Sequence, residues 1–210
     1  KYLQRSEAEG RHPIPIEGPS SRQYVDFYNL DHTTWDYPVQ QPFQMPVGQR
    51  AGILTHPAWL IAWSGNFDND PIRRGKWIRE HLLADTMPDV PLDVNAVVPE
   101  HRDQSLRERL RVTRDEYCWK CHQKMDPLGF PFEQFDDFGR HREREVLGEL
   151  LTIFPERHGD APTTDIDTRG HIGSSGERQL DGDVKDVFEL VQRLGKSERV
   201  RQSFVRHAFR

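Results

Sequence analysis

Cys118, Trp119, Lys120, Cys121 and His122 follow one another in the chain, which has no other cysteine. Two thiols at this spacing, followed at once by an imidazole, fit the covalent attachment of a c-type haem. Each thiol adds to a vinyl group as a thioether, and the histidine supplies an axial nitrogen to the iron. Three other chemistries share the spacing: a lone disulfide, a thioredoxin-like redox pair and half of a zinc site. The zinc site needs ligands from elsewhere, and the thioredoxin-like pair needs a βαβ setting that the pattern of the chain does not show. The expectation is therefore haem c held through Cys118 and Cys121, with His122 on the iron.

The rest of the chain is consistent with a cofactor that contributes apolar surface. Of 210 residues only 35% are hydrophobic, and the 15 glycines do not lift the apolar total to the roughly 45–50% usual for a soluble domain. One compact unit plus an appendage fits this length, with a thin core that a porphyrin, a partner or another part of the same protein would complete. A net charge of -5 with both signs interspersed leaves no basic face for a phosphate backbone, so nucleic acid is not expected as a partner. No apolar run is long enough to span a bilayer. The chain starts at Lys1 without a signal peptide and reads as a mature or partial product. Because thioether attachment is normally completed outside the cytoplasm, the motif points to a periplasmic or otherwise extracytoplasmic location.

Local signals give a mainly α chain with irregular extended segments and a small β-hairpin. Residues 1–44 are proline-rich and extended, with one strand-like run at Gln23–Phe27. Pro57 opens a short buried helix, and Asp70-Pro71 opens a second, carrying Ile72, Ile78, Leu82 and Leu83, that stops before Pro88. The stretch Met87–Pro99 reads as an extended crossing loop. A helix from about Asp103 to Tyr117, with Leu106, Leu110 and Tyr117 on one face, delivers the chain to the cysteines. Pro131 starts another, with Phe132, Phe135 and Phe138 as an aromatic stripe and Gly139 ending it. Asp126–Gly129 reads as a turn leading away from the motif. Between Thr163 and Asp181 the composition favours turns and a hairpin through Ile166 and Ile172; Arg169 and a missing glutamate spoil any calcium-loop reading there. A C-terminal helical pair comes next, capped at Asp183 and Ser197, with Gly195 ending the first helix and Val200, Phe204 and Ala208 on the inner face of the second.

Beyond the pentapeptide, the run continues Gln123-Lys-Met125-Asp126-Pro127-Leu128-Gly129-Phe130, then Phe132-Glu133, Phe135-Asp136 and Gly139-Arg140. Together with Arg50–Pro57, Arg73–Ile78, Leu180–Gly182 and Ser197–His207, these residues resemble the cytochrome-like C-terminal region of large multidomain exported proteins abundant in planctomycete bacteria. The likeness spans roughly residues 45–210. It implies a cytochrome c-like haem module at 45–150 and a small C-terminal module at 151–210, with 1–44 as the tail of a preceding module. It also implies a role in oxidation or electron transfer beside other modules or chains of one assembly.

What such a haem does depends on its sixth ligand, because a second strong ligand favours electron transfer and an open site admits peroxide or oxygen. Met125 shares a helical face with His122 and is poorly placed to reach across a porphyrin. Met45, Met87, His56, His171 and His207 are the other candidates, with His56 the favoured second metal ligand. Phe130, Phe132 and Phe135 are the expected apolar walls. Electron transfer with a redox partner is the preferred role. A structural or interaction module of an exported assembly, and a peroxidase-like enzyme using His56 as distal base, are the alternatives.

Overall fold

The computed structural model describes residues 48–65, 68–91, 97–99, 101, 103–148 and 161–209. The arm at 1–44, the Gln23–Phe27 run and Met45 lie outside them. Lys1–Arg50 separates as one unit and Ala51–Arg210 as another, and every helix and strand among the described residues belongs to the second.

Helix α1 spans Pro57–Ala62, with Pro57 in its first turn as expected and the His56 side chain capping it. Helix α2 spans Pro71–Trp77, capped by Asp70 Oδ1, which accepts from Arg73 N at 2.9 Å. It continues as a π-helical stretch, Ile78–Leu82, before the chain turns extended ahead of Pro88.

The helix expected over 103–117 is broken. Helix α3 covers Leu106–Arg109 behind a Ser105/Glu108 capping box, tightens into a 3-10 segment at Leu110–Arg114, and stops at Asp115, whose ψ is 142°. Thr113 Oγ1 lies 2.8 Å from Leu110 O within this tightened turn. Leu106 and Leu110 are buried and Tyr117 is exposed. The motif therefore has a helix of its own, α4, Glu116–His122.

Asp126–Gly129 is not a turn but a one-turn helix, α5, running into a 3-10 segment at Phe130–Gln134. Helices α2 and α5 cross with backbone touching backbone. A Cβ on Gly75 would stand 1.8 Å from Met125 O, and one on Gly129 would stand 1.8 Å from Pro71 O, so each helix needs glycine where it meets the other. The aromatic segment also departs from expectation: only its first part is helical, Phe135 is extended, and a bridge pairs it with His141. Gly139, at φ 71°, reverses the chain between them, while Asp136 Oδ1 accepts from Phe138 N and Arg140 N at 3.0 and 2.8 Å.

Two short antiparallel strand pairs follow among the described residues. Strand β1 (Arg144–Val146) pairs with β2 (Thr163–Asp165), and β3 (Gly170–Ile172) pairs with β4 (Gly182–Val184). Ile166 and Ile172 thus do not face each other in one hairpin, because each strand around them pairs with a more distant segment. Asp183 lies in β4. Helix α6 (Val187–Lys196) is capped instead by Asp186, whose Oδ1 accepts from Glu189 N at 2.8 Å. Ser197 ends α6 at Leu194 O and caps α7 (Glu198–Ala208), so Gly195 stays inside the helix. Helix α7 turns Ser203 inward, where Oγ donates to His81 O at 2.7 Å. That rotation leaves Phe204 68% exposed rather than packed.

The principal core joins Leu54, Trp59, Leu60, Ile78, Leu83, Leu128, Phe132 and Phe135 to Ile172, Leu180, Val184, Val187, Leu190 and Leu194. Segments before and after residue 150 thus share it. Arg74 is buried inside, donating to Phe132 O, Leu60 O and Ser64 Oγ at 3.1, 3.1 and 2.8 Å, so a costly charge is offset by oxygens from two segments. Arg79 does likewise at the edge: it donates to Lys124 O through Nε (2.9 Å) and Nη2 (2.7 Å), to Gly173 O (2.7 Å) and to Ser174 O (3.3 Å).

Candidate functional site

Helical winding across Glu116–His122 places Cys118, Cys121 and His122 at positions i, i+3 and i+4, which lie on one face. Both cysteines are free and half-buried, and no residue of α4 is fully buried. The helix lies on the protein rather than in it. Its flanks carry cations over aromatic faces: the Arg114 guanidinium lies 5.8 Å from the Trp119 ring and the Lys120 ammonium 5.8 Å from the Tyr117 ring. Beyond the helix the chain tightens, with Lys124 N donating to Cys121 O and Met125 N to His122 O at 3.0 and 3.1 Å. Arg79 then grips Lys124 O.

The His122 imidazole is fixed from below. Its Nδ1 lies 2.8 Å from Oδ1 of Asp126, a fully buried residue, and Thr113 Oγ1 donates to Asp126 Oδ2 at 2.7 Å. A carboxylate only accepts, so Nδ1 carries the hydrogen, and in the neutral ring Nε2 is the nitrogen with the lone pair. Two thiols and one such nitrogen on a single face form a donor set that fits covalent haem c. Among the described residues no group of three or more His, Cys, Asp and Glu is arranged to hold a metal ion, so the half-zinc-site reading finds no completing ligands there.

Residues 50–145 match the family model PSCyt3, described as a protein of unknown function (DUF1588). The matched stretch contains the pentapeptide, Thr113 and Asp126, and the family's name is a cytochrome-like one, in keeping with the likeness drawn from the motifs. No curated protein and no solved structure matches the chain.

The remaining candidates are dispersed. His56 is exposed, and its Nδ1 accepts from Ala58 N at 3.2 Å as the cap of α1. His207 stacks on His81, ring centroids 5.6 Å apart, and His81 stacks in turn on Trp77 at 4.8 Å. His171 is paired with Asp183 at 2.7 Å on the surface. Met87 and Met125 are buried. Phe132 and Phe135 are fully buried in the principal core, Phe132 lying 5.2 Å from Trp59. Phe130 belongs to a second cluster with Leu106 and Leu110, under the Arg107 guanidinium at 4.2 Å. The three rings are thus packed by the chain's own side chains, in two places.

Beside that second cluster lies an acidic pair unnoticed in the sequence. Burial pushes Glu133 up to about 8, with Glu145 nearby adding to the effect. Burial also raises Glu145, whose Oε1 accepts from Leu106 N at 2.8 Å at the start of α3. The residues that sequence reasoning missed at the motif itself are Asp126 and Thr113. The first carried a signal, four residues after His122; the second meets the site only through the bend at Asp115.

Proposed function

We propose that this chain carries one haem c, bound through Cys118 and Cys121 with His122 as axial ligand, and passes single electrons within or for a larger extracytoplasmic oxidoreductase assembly. The observation that carries this reading is the shared face of the two thiols and an imidazole whose Nδ1 is already engaged. When bound, the haem supplies a one-electron ferric/ferrous couple. The protein's own contribution is positional. Helix α4 sets the spacing of the sulfurs, the Arg79 bonds to Lys124 O fix where the chain leaves the motif, and Asp126 holds the ring of His122. Exposure of α4 keeps the site accessible to a redox partner or to a neighbouring module of the same protein, in line with the resemblance of residues 45–210.

A second reading, an interaction module of an exported assembly, is favoured by α7, where Phe204, Val205 and Phe209 at its end stand 68%, 53% and 87% exposed. The two readings separate on colour. The visible spectrum of the purified protein, oxidised and dithionite-reduced, is recorded with a pyridine haemochrome assay after acid–acetone extraction. A c-type haemochrome that resists extraction is expected, and the reduced spectrum distinguishes a six-coordinate carrier from an open site. A colourless protein from a host competent in haem attachment sinks the redox reading.

A further inference from the structure

We propose that Asp126, backed by Thr113, is the positioning residue for His122 and lowers the reduction potential of the iron that His122 binds; this rests on the haem reading. Asp126 is fully buried, where a carboxylate is costly unless it is partnered. Its two oxygens take His122 Nδ1 and Thr113 Oγ1, one each, at 2.8 and 2.7 Å. Packing alone would be served by an apolar residue, so the buried charge has another consequence, which lies in the ring it holds.

The geometry is unlike an ordinary pair along one helix. His122 is the last residue of α4, whereas Asp126 is the first of α5, and the contact spans the break at 123–125. Helix α5 is in turn pinned against α2, where Gly75 and Gly129 bring the two backbones together. The carboxylate is therefore presented by the rigid part of the molecule to the exposed part. It fixes the imidazole tautomer, stops the ring from rotating, and leaves Nε2 as the only nitrogen available to a metal. An anionic acceptor on Nδ1 makes the ligand more basic and stabilises ferric over ferrous iron. Thr113 moderates this by drawing part of the carboxylate's charge toward its own hydroxyl.

The two partners should therefore act with opposite sign. In haem-loaded Asp126→Asn the ferrous form should gain about tenfold, a rise of about 59 mV for one electron. Thr113→Val, which keeps the charge but removes its second partner, should favour the ferric form about threefold. Asp126→Glu should restore part of the parent value. Potentiometric titration followed in the visible spectrum reads all three, with haem content and thermal melting measured on each sample. If Asp126→Asn fails to fold, the downward shift in Thr113→Val decides. Haem-bearing variants whose ferrous-to-ferric balance stays within twofold of the parent, or that both shift in the same direction, overturn the proposal. Should the wild type bear no haem c, the functional reading falls and the role of Asp126 is judged on the haem-free protein. There 15N NMR should show His122 protonated on Nδ1 in the parent and not held so in Asp126→Asn, and an Nε2–H ring in the parent overturns it.

Discussion

The crossing of α2 and α5 and the motif helix α4 are neighbours built on opposite terms. At the crossing, backbones touch and no side chain can be added at Gly75 or Gly129; on α4 no residue is fully buried, and Tyr117 stands 57% exposed. One region is rigid because packing over-determines it, and the other is open along its outer face. His122 belongs to the second and is held by the first, through Asp126.

Substitutions sharpen this contrast in order of size. Phe132→Ala, which empties a fully buried ring site beside Trp59, should cost about 3–5 kcal/mol in urea unfolding. Gly75→Ala should cost about 3 kcal/mol, because the new methyl meets the Met125 carbonyl rather than a flexible side chain. A loss below about 1 kcal/mol for Gly75→Ala would show that the crossing yields and that the bed under His122 is not rigid.

Glu133 gives an effect of middling size with a definite sign. Its carboxyl is pushed up to about 8 in the fold, so the folded protein holds a proton that the unfolded chain releases near the ordinary value of 4.5. Its contribution to stability is complete below that value and is lost as pH rises through about 8. Glu133→Gln should flatten this slope and stabilise the protein at about pH 9 by roughly 2 kcal/mol, read from melts across pH. A parent-like slope in the variant would assign the pH dependence to Glu145 or another group. Smallest of all, Tyr117→Ala on α4 should change stability by under about 0.5 kcal/mol.

The readable parts of the fold were those written in local chemistry. Pro57, Asp70-Pro71 and Ser197 announce helix starts because cap and proline act within one turn, and the i, i+3, i+4 face of the motif comes from spacing alone. The bend at Asp115, the partners of β2 and β3, and the choice of Asp186 over Asp183 as a cap were hidden. Each depends on what a distant segment offers: a carboxylate for Thr113, Arg144–Val146 for β2, and Gly182–Val184 for β3. Phe204 misled for the same reason, since His81 O draws Ser203 inward and sets the rotation of α7. At the site, the thiols and imidazole could be read in the sequence, whereas the Thr113 contact could not.

One guanidinium makes the motif depend on residues well beyond the family match. Arg79 ties Lys124 O, just past His122, to Gly173 O and Ser174 O, and the match ends at residue 145. Trimming the protein to its matched stretch would cut two of the mooring points and strip Ile172, Leu180 and Val187 from the core. The smallest piece that can be excised with its motif correctly seated therefore reaches into α6, and the edge of the family match is not the mechanical one.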